Sequence, residues 1–153
     1  MNQINNIDIK PEQFFILSIL THSKNVLKLK SRLKLFIYLS DNELEENVYS
    51  YTKGNVGPEP ERLDEHLAYL EDKDIITIEE SFTFGGDKRY RYYINKEFSD
   101  DTSQLLNETD ERKKVHNTVK DVHSKYKDIP ISNLIKQVRD NHYEYFRNNS
   151  HVF

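Results

Sequence analysis

Histidine is the residue type in this sequence whose chemistry could serve metal binding or catalysis, because the chain has six histidines and no cysteine. His116 and His123 are seven residues apart on one predicted helix, so they share a face but lie two turns apart and cannot chelate one ion by themselves. His22 and His66 have no partner at helical spacing, and no HExxH pattern is present. We therefore predict no metal site and no cofactor.

Carboxylate pairs and glycines are the other groups that could support catalysis. Acidic pairs occur at Glu45–Glu46, Glu79–Glu80 and Asp100–Asp101, but in a chain with 26 acidic residues such pairs usually form a solvated surface. Gly85-Gly86 has no phosphate-loop pattern around it, and a hairpin turn explains both glycines. No serine lies in a nucleophile-elbow pattern. We predict that the protein is not an enzyme.

Basic residues cluster in two places and suggest a binding function. Six bases and one acid lie between residues 9 and 40, and no acid interrupts the run from Lys24 to Lys34. A second group alternates with tyrosines near residue 90. Neutralisation of phosphates supplies most of the non-specific affinity of proteins for DNA. The residues predicted to contact DNA are Lys28, Lys30, Arg32, Lys34, Lys88, Arg89 and Arg91.

The segment that would normally read DNA has the opposite charge. Seven acids lie between Glu59 and Asp74, against only Arg62 and Lys73, and the net charge of −4 argues mildly against an indiscriminate nucleic-acid binder. Such a helix would suit a protein partner with a basic surface. The leading prediction is a dimeric DNA-binding regulator that uses the second helix and the hairpin. The alternative is a protein-interaction module that uses the acidic third helix.

Apolar periodicity predicts the helices that must position these side chains. Pro11 begins the first stripe, as proline favours a first helical turn, and Thr21–Asn25 is predicted to break it. Residues 41–57 are predicted to form a loop with a short strand at Val48–Tyr51. The first three helices are predicted at Pro11 to about Leu20, Leu27 or Leu29 to Ser40, and Pro58 to about Lys73.

A β-hairpin is the clearest local motif. Runs of β-branched and aromatic residues at Ile75–Phe84 and Asp87–Ile94 flank Gly85-Gly86, which predicts a two-residue turn. That turn places Phe82 opposite Arg89 and Glu80 opposite Arg91, whereas a three-residue turn would shift the register.

The C-terminal third is predicted to be helical after a polar link at Ser99–Ser103. Val115, Val119 and Val122 follow helical spacing in a helix over Asp110–Tyr126, and Asp128–Pro130 breaks it. Ser132 is the predicted N-cap of a last helix that contains Leu134, Ile135, Val138, His142, Tyr145 and Phe146. Residues 148–153 are predicted to be a loose tail.

The order of helix, helix, helix and hairpin is typical of a winged helix. The chain also resembles small prokaryotic winged-helix proteins related in style to PadR-like regulators and SocA-type antitoxins. The residues that carry this resemblance are Arg32–Leu39, Tyr49–Tyr51, Gly57-Pro58, Leu63, Leu67, Leu70 and Ile75-Ile76. The resemblance covers about residues 11–95, implies a regulatory role and dimerisation through the later helices, and transfers no catalytic residue.

These patterns predict an α+β, mainly helical protein: a winged helix-turn-helix domain at residues 11–97 and a C-terminal helical extension at 104–148. The extension is the expected dimerisation element. Neither a signal peptide nor a membrane span is predicted, because the longest apolar run has about four residues and a span needs roughly 20. With no cysteine in the chain, we expect a cytoplasmic protein whose partners are duplex DNA, a second copy of itself, or a basic protein.

Overall fold

The computed structural model describes residues 7–23, 27 and 30–147. This part of the chain is α+β and mainly helical, as predicted, with six α-helices and two small antiparallel sheets. The helices are α1 (Pro11–His22), α2 (Lys30–Asn42), α3 (Leu63–Asp72), α4 (Ser99–Leu106), α5 (Asp110–Tyr126) and α6 (Ile131–Asn141). The strands are β1 (Tyr51–Thr52), β2 (Glu59–Pro60), β3 (Ile76–Phe82) and β4 (Lys88–Ile94).

Helix α1 lies at the centre of the molecule. It begins at Pro11, and the backbone N–H of Lys10 donates to the Gln13 side chain at 2.9 Å. All eight residues from Gln13 to Leu20 are buried, which is expected of a helix surrounded by other elements. Its neighbours are α2, α3, α4, α5 and β4. The hydrophobic core therefore forms around the first helix of the chain.

Helix α3 is shorter than predicted. The expected start at Pro58 is wrong, because Glu59 and Pro60 pair with Thr52 and Tyr51 as the second strand of a small sheet. Proline has no backbone N–H to donate and is tolerated on such an edge strand. Arg62 then adopts a left-handed conformation with φ 63°, so the helix can begin only after it. The predicted short strand is present but lies at Tyr51–Thr52.

The hairpin is present, and its register differs from the predicted one by one residue. Phe82 lies opposite Lys88, and Glu79, not Glu80, lies opposite Arg91. The turn has three residues, Phe84 to Gly86: the N–H of Thr83 donates to the carbonyl of Asp87, and the N–H of Gly86 donates to the carbonyl of Thr83. Gly86 has φ 85°, the left-handed conformation that ends such a turn. The predicted two-residue turn is therefore wrong.

Leu27 adds a third strand position to this hairpin. Its N–H and carbonyl both bond to the backbone of Tyr92, at 3.1 and 2.9 Å. Both side chains are buried. The link between α1 and α2 is thereby attached to the outer edge of β4, and the order α1, Leu27, α2, α3 and hairpin is compatible with a winged-helix layout.

The C-terminal third packs on this unit through α1 and α2. The helix predicted at Asp110–Tyr126 is confirmed with the same bounds. The polar link predicted at Ser99–Ser103 is wrong: it forms the start of α4, because Thr102, Leu105 and Leu106 are buried and α4 lies against α1. Tertiary burial has overridden the polar composition of this segment.

The last helix ends earlier than predicted. Helix α6 stops at Asn141, with Pro130 and not Ser132 at its N-cap position, and the chain continues as a short 3₁₀ turn at Tyr143–Tyr145. Phe146 then forms a parallel bridge with Gly54. The end of the described chain is thus attached to the loop after β1. The tail predicted at 148–153 lies outside the described residues.

Candidate functional site

The basic residues predicted on the second helix contact acids of the protein itself. The ammonium of Lys34 lies 2.8 Å from the Glu59 carboxylate, and that of Lys30 lies 2.5 Å from the Asp64 carboxylate. Both acids belong to β2 and α3, the segment identified by its negative charge. Lys28 lies outside the described residues. The predicted DNA face of α2 is therefore neutralised locally by the neighbouring acidic segment.

Arg32 has a structural position. Its guanidinium donates to the backbone carbonyls of Ile129 at 2.7 Å and Tyr126 at 3.4 Å, and it lies over the ring of Phe36. Burial lowers the pKa of Arg32. These carbonyls end α5 and begin the link to α6, where a cation is favoured by the helix dipole. Arg32 thus joins α2 to the C-terminal helices.

The three cations of the hairpin differ from one another. Lys88 lies 2.8 Å from Glu80, and Arg91 lies 3.4 Å from Glu79; the hydrogen bond to Glu80 raises the pKa of Lys88. Arg89 lies opposite Ser81, is exposed, and forms no ion pair within the described chain. These surface pairs are weak and exchangeable. Among the described cations of the predicted hairpin set, Arg89 is therefore the one without an ion pair.

The tip of the hairpin exposes two phenylalanines. Phe82 is 65% exposed, and Phe84, in the turn, is fully exposed. Exposed single apolar side chains are common, whereas neighbouring exposed aromatic rings suggest a contact surface. The hairpin beneath them has three acids and three bases. The tip is therefore apolar and close to charge-balanced.

The outer face of α3 is acidic. Helix α3 buries Leu63, His66, Leu67 and Leu70. Its exposed side chains and its approach carry negative charge at Glu61, Asp64, Glu65, Glu71 and Asp72. From residue 59 to residue 91 there are ten acidic and five basic side chains. The surface formed by α3 and the hairpin therefore has an excess of negative charge, as the sequence indicated.

A histidine cluster joins α1 to α5, which sequence spacing did not predict. His22 stacks on His116 and donates to the His116 carbonyl at 3.1 Å, while His116 Nδ1 lies 2.7 Å from the Ser18 hydroxyl. His123 lies beside them, with its ring edge-on to Phe36. Burial lowers the pKa of all three histidines. Within the described ranges no group of three metal-type ligands is arranged to hold an ion.

A buried carboxylate organises the loop after α2. Asp41 is 1% exposed. It accepts hydrogen bonds from the backbone N–H groups of Val48 and Tyr49, at 2.7 and 3.0 Å, and from the Tyr51 hydroxyl at 2.7 Å. Burial, with this bond to the carboxylate, raises the pKa of Tyr51. Every donor is local and no bound group is required, so the arrangement is structural.

A groove of about 400 Å³ opens between the N-terminal ends of α1 and α5. Its walls include Phe14, Phe15 and Val115, and the guanidinium of Arg112 lies over the Phe14 ring at 5.6 Å. That guanidinium is already bound to Glu108 at 2.8 Å. The groove offers no pairing of a nucleophile with a base, so it does not suggest catalysis.

Comparisons with known proteins identify no relative: no family model matches the chain, and neither a curated protein nor a solved structure is significantly similar to it. The resemblance to PadR-like and SocA-type proteins therefore stays a prediction. Among the described helices, none combines the length and the apolar character needed to cross a bilayer.

Proposed function

We propose that the protein is a winged-helix protein-interaction module, without enzymatic activity, that binds a basic protein through α3 and the hairpin wing. The observations that support this most directly are the exposed pair Phe82 and Phe84 at the tip of the hairpin and the negatively charged helix α3 that precedes the hairpin in the chain.

The topology supports a wing. Leu27 lies at a third strand position beside β4, so the hairpin is anchored at its base to the link between the first two helices. Helix α3 runs directly into β3, with the N–H of Ile75 donating to the carbonyl of Leu70. Helix α3 and the hairpin are therefore continuous in the chain and can present one surface to a partner.

The charges favour a protein over DNA on this surface. The Lys30–Asp64 and Lys34–Glu59 pairs occupy two of the cations that would contact phosphates. The remaining acids of α3 would repel a phosphate backbone and attract lysine and arginine side chains. A basic protein is therefore the occupant that complements the surface.

The two phenylalanines supply the apolar part of such an interface. Full burial of an exposed phenylalanine is worth about 1.5–3 kcal/mol, and aromatic side chains at the centre of an interface contribute a large part of its binding energy. The acidic residues of α3 would then select partners and accelerate association.

The test is purification of the protein from its native source, with the double variant Phe82→Ser/Phe84→Ser and, separately, the charge variant Glu61→Lys/Glu65→Lys. We expect a stoichiometric basic protein with the wild type, and its loss with both variants. Tyr143→Ser, which removes an exposed aromatic ring elsewhere, is the matched control and should retain the partner. Absence of a stoichiometric protein, or its retention by both variants, contradicts the proposal.

DNA binding and transcriptional regulation form a second candidate function. The observation in its favour is Arg89, which is exposed on the wing and forms no ion pair in the part of the chain that the structure describes. This candidate expects salt-sensitive binding of a DNA duplex that weakens at least tenfold in Arg89→Glu. Unchanged affinity in that variant would exclude the wing as a DNA contact.

Self-association also remains a proposal, but the valine stripe of α5 is engaged within the chain. Val119 and Val122 are buried in the core, at 1% and 6% exposed, and α5 packs on α1 and α2. A dimer would therefore need another surface. Sedimentation equilibrium over a hundredfold range of protein concentration measures the state of association.

A further inference from the structure

A line of lysines runs along the outer face of α5. Lys113, Lys120 and Lys127 are separated by seven residues each, with Asn117 and Ser124 between them. At 100° per residue these five positions stay within about 40° of a single line. All five residues are exposed, and Lys127 still has helical backbone angles at the C-cap. The line is therefore straight and about 21 Å long.

After an acidic first turn at Asp110 and Glu111, the remainder of α5 is positively charged. From residue 112 to residue 127 there are six bases and one acid, Asp121. Arg112 pairs with Glu108. In contrast, the side chains of the three lysines of the line form no hydrogen bond and no ion pair within the described part of the chain. By comparison, Lys30 and Lys34 of α2 and Lys88 of the hairpin all form ion pairs.

The rest of α5 is held rigidly, which fixes the lysines relative to one another. His116 lies 2.7 Å from Ser18, and Val119 and Val122 are in the core. This anchoring also argues against a membrane ligand, since an interfacial helix must insert an apolar face into the lipid. The apolar face of α5 is covered by α1 and α2. After the first turn, the exposed face offers cations, short polar side chains and one acid, Asp121.

We propose that the lysine line of α5 binds the phosphate backbone of a nucleic-acid duplex. A duplex carries regularly repeated negative charges, and its phosphates are contacted by lysine and arginine and by polar side chains such as serine, threonine, asparagine, glutamine and tyrosine. Every residue of the line belongs to this set. Recognition would be independent of base sequence, because the line is a convex helix face without residues aimed at base edges. This site is separate from the protein-binding surface formed by α3 and the wing.

The experiment measures fluorescence anisotropy of a labelled 20-base-pair DNA duplex of arbitrary sequence, at several salt concentrations. Each phosphate contact contributes about 0.9 to the slope of log affinity against log salt. The variant Lys113→Gln/Lys120→Gln/Lys127→Gln should therefore lower the magnitude of the slope by about 2.7. Circular dichroism should show both proteins equally folded, since the three side chains are exposed.

The matched control is Lys88→Gln/Arg89→Gln/Arg91→Gln, which removes the same charge from the wing. We expect its salt slope to remain that of the wild type. Three results would overturn the proposal: no binding by the wild type at low salt, an equal loss of slope in both triple variants, or a loss confined to the wing variant. The variant Phe82→Ser/Phe84→Ser leaves α5 intact and should bind the duplex with wild-type affinity. Failure of the protein-binding proposal can therefore be distinguished from failure of the duplex-binding proposal.

Discussion

The imidazole rings of His22 and His116 are stacked, with centroids 4.2 Å apart and planes 21° from parallel. This contact connects the first helix to a helix more than ninety residues later in the chain. Protonation of both rings would place two positive charges in contact at a buried seam. The charges of Lys120 and Asp121 act on His22, and those of Lys127, Asp128 and Arg32 act on His123.

The histidine cluster predicts a loss of stability in mild acid. Burial, with the nearby His22, lowers the pKa of His116 to about 4, whereas an unfolded histidine has a pKa of about 6.5. Between these values the unfolded chain binds more protons than the folded chain, so the free energy of unfolding falls as the pH decreases. Stability should be full above pH 6.5 and decline by about 1–2 kcal/mol by pH 5.

Urea denaturation at pH 7 and at pH 5 measures this effect. His116→Gln should be less stable than the wild type at pH 7, but should lose less stability on acidification. An identical loss in both proteins would assign the pH dependence to other groups.

Removal of the Asp41 carboxylate should destabilise the protein strongly. Asp41→Ala leaves the part-buried N–H of Val48, the buried N–H of Tyr49 and the Tyr51 hydroxyl without their acceptor. The expected cost is about 2–4 kcal/mol in the free energy of unfolding. Asp72→Ala, at an exposed position of α3, is the matched control and should change it by less than about 0.5 kcal/mol. Equal effects would show that the Asp41 network does not stabilise the loop.

The two glycines of the hairpin turn should differ in their tolerance of substitution. A methyl group has space at both positions, but only Gly86 has a positive φ, of 85°. Gly86→Ala should therefore cost about 1 kcal/mol, whereas Gly85→Ala should be neutral or slightly stabilising. Thermal denaturation of the two single variants provides the comparison, and a greater loss in Gly85→Ala would contradict the three-residue turn.

Arg32 should behave as a structural residue. Arg32→Ala removes two hydrogen bonds to the carbonyls of Tyr126 and Ile129, with an expected cost of about 1–3 kcal/mol. Lys30→Ala, which breaks only an exposed ion pair, should cost less than about 0.5 kcal/mol. Chemical denaturation distinguishes the two variants. If Arg32→Ala were as stable as the wild type, Arg32 would not be structural and could again be a candidate DNA contact.

The elements that periodicity could predict were those with a single apolar stripe. Helix α5 was predicted with its observed bounds because the stripe of Val115, Val119 and Val122 fills one face. Helix α4 was missed because its first residues are polar, and only tertiary contacts to α1 reveal the burial of Thr102 and Leu105. The hairpin register depended on whether the turn has two or three residues, and the residue types alone do not determine this.

The candidate surfaces were predicted less well than the fold, for an electrostatic reason. Sequence shows where charges lie along the chain, but not which opposite charges lie beside them in space. Lys34 and Glu59 are 25 residues apart, yet they form an ion pair. The lysine line of α5 was visible as a repeat of seven residues, and a count of six bases against one acid over residues 112–127 was the signal that would have indicated it.

The central position of α1 has a consequence for the time course of synthesis. The apolar helix α1 is synthesised before α5, and Ser18 can meet His116 only after a further 98 residues have been added. At about 5–20 residues per second, this takes roughly 5–20 s. During that interval the apolar surface of α1 that α5 covers in the folded protein is exposed. The nascent chain must therefore avoid aggregation through α1 until α5 has been synthesised.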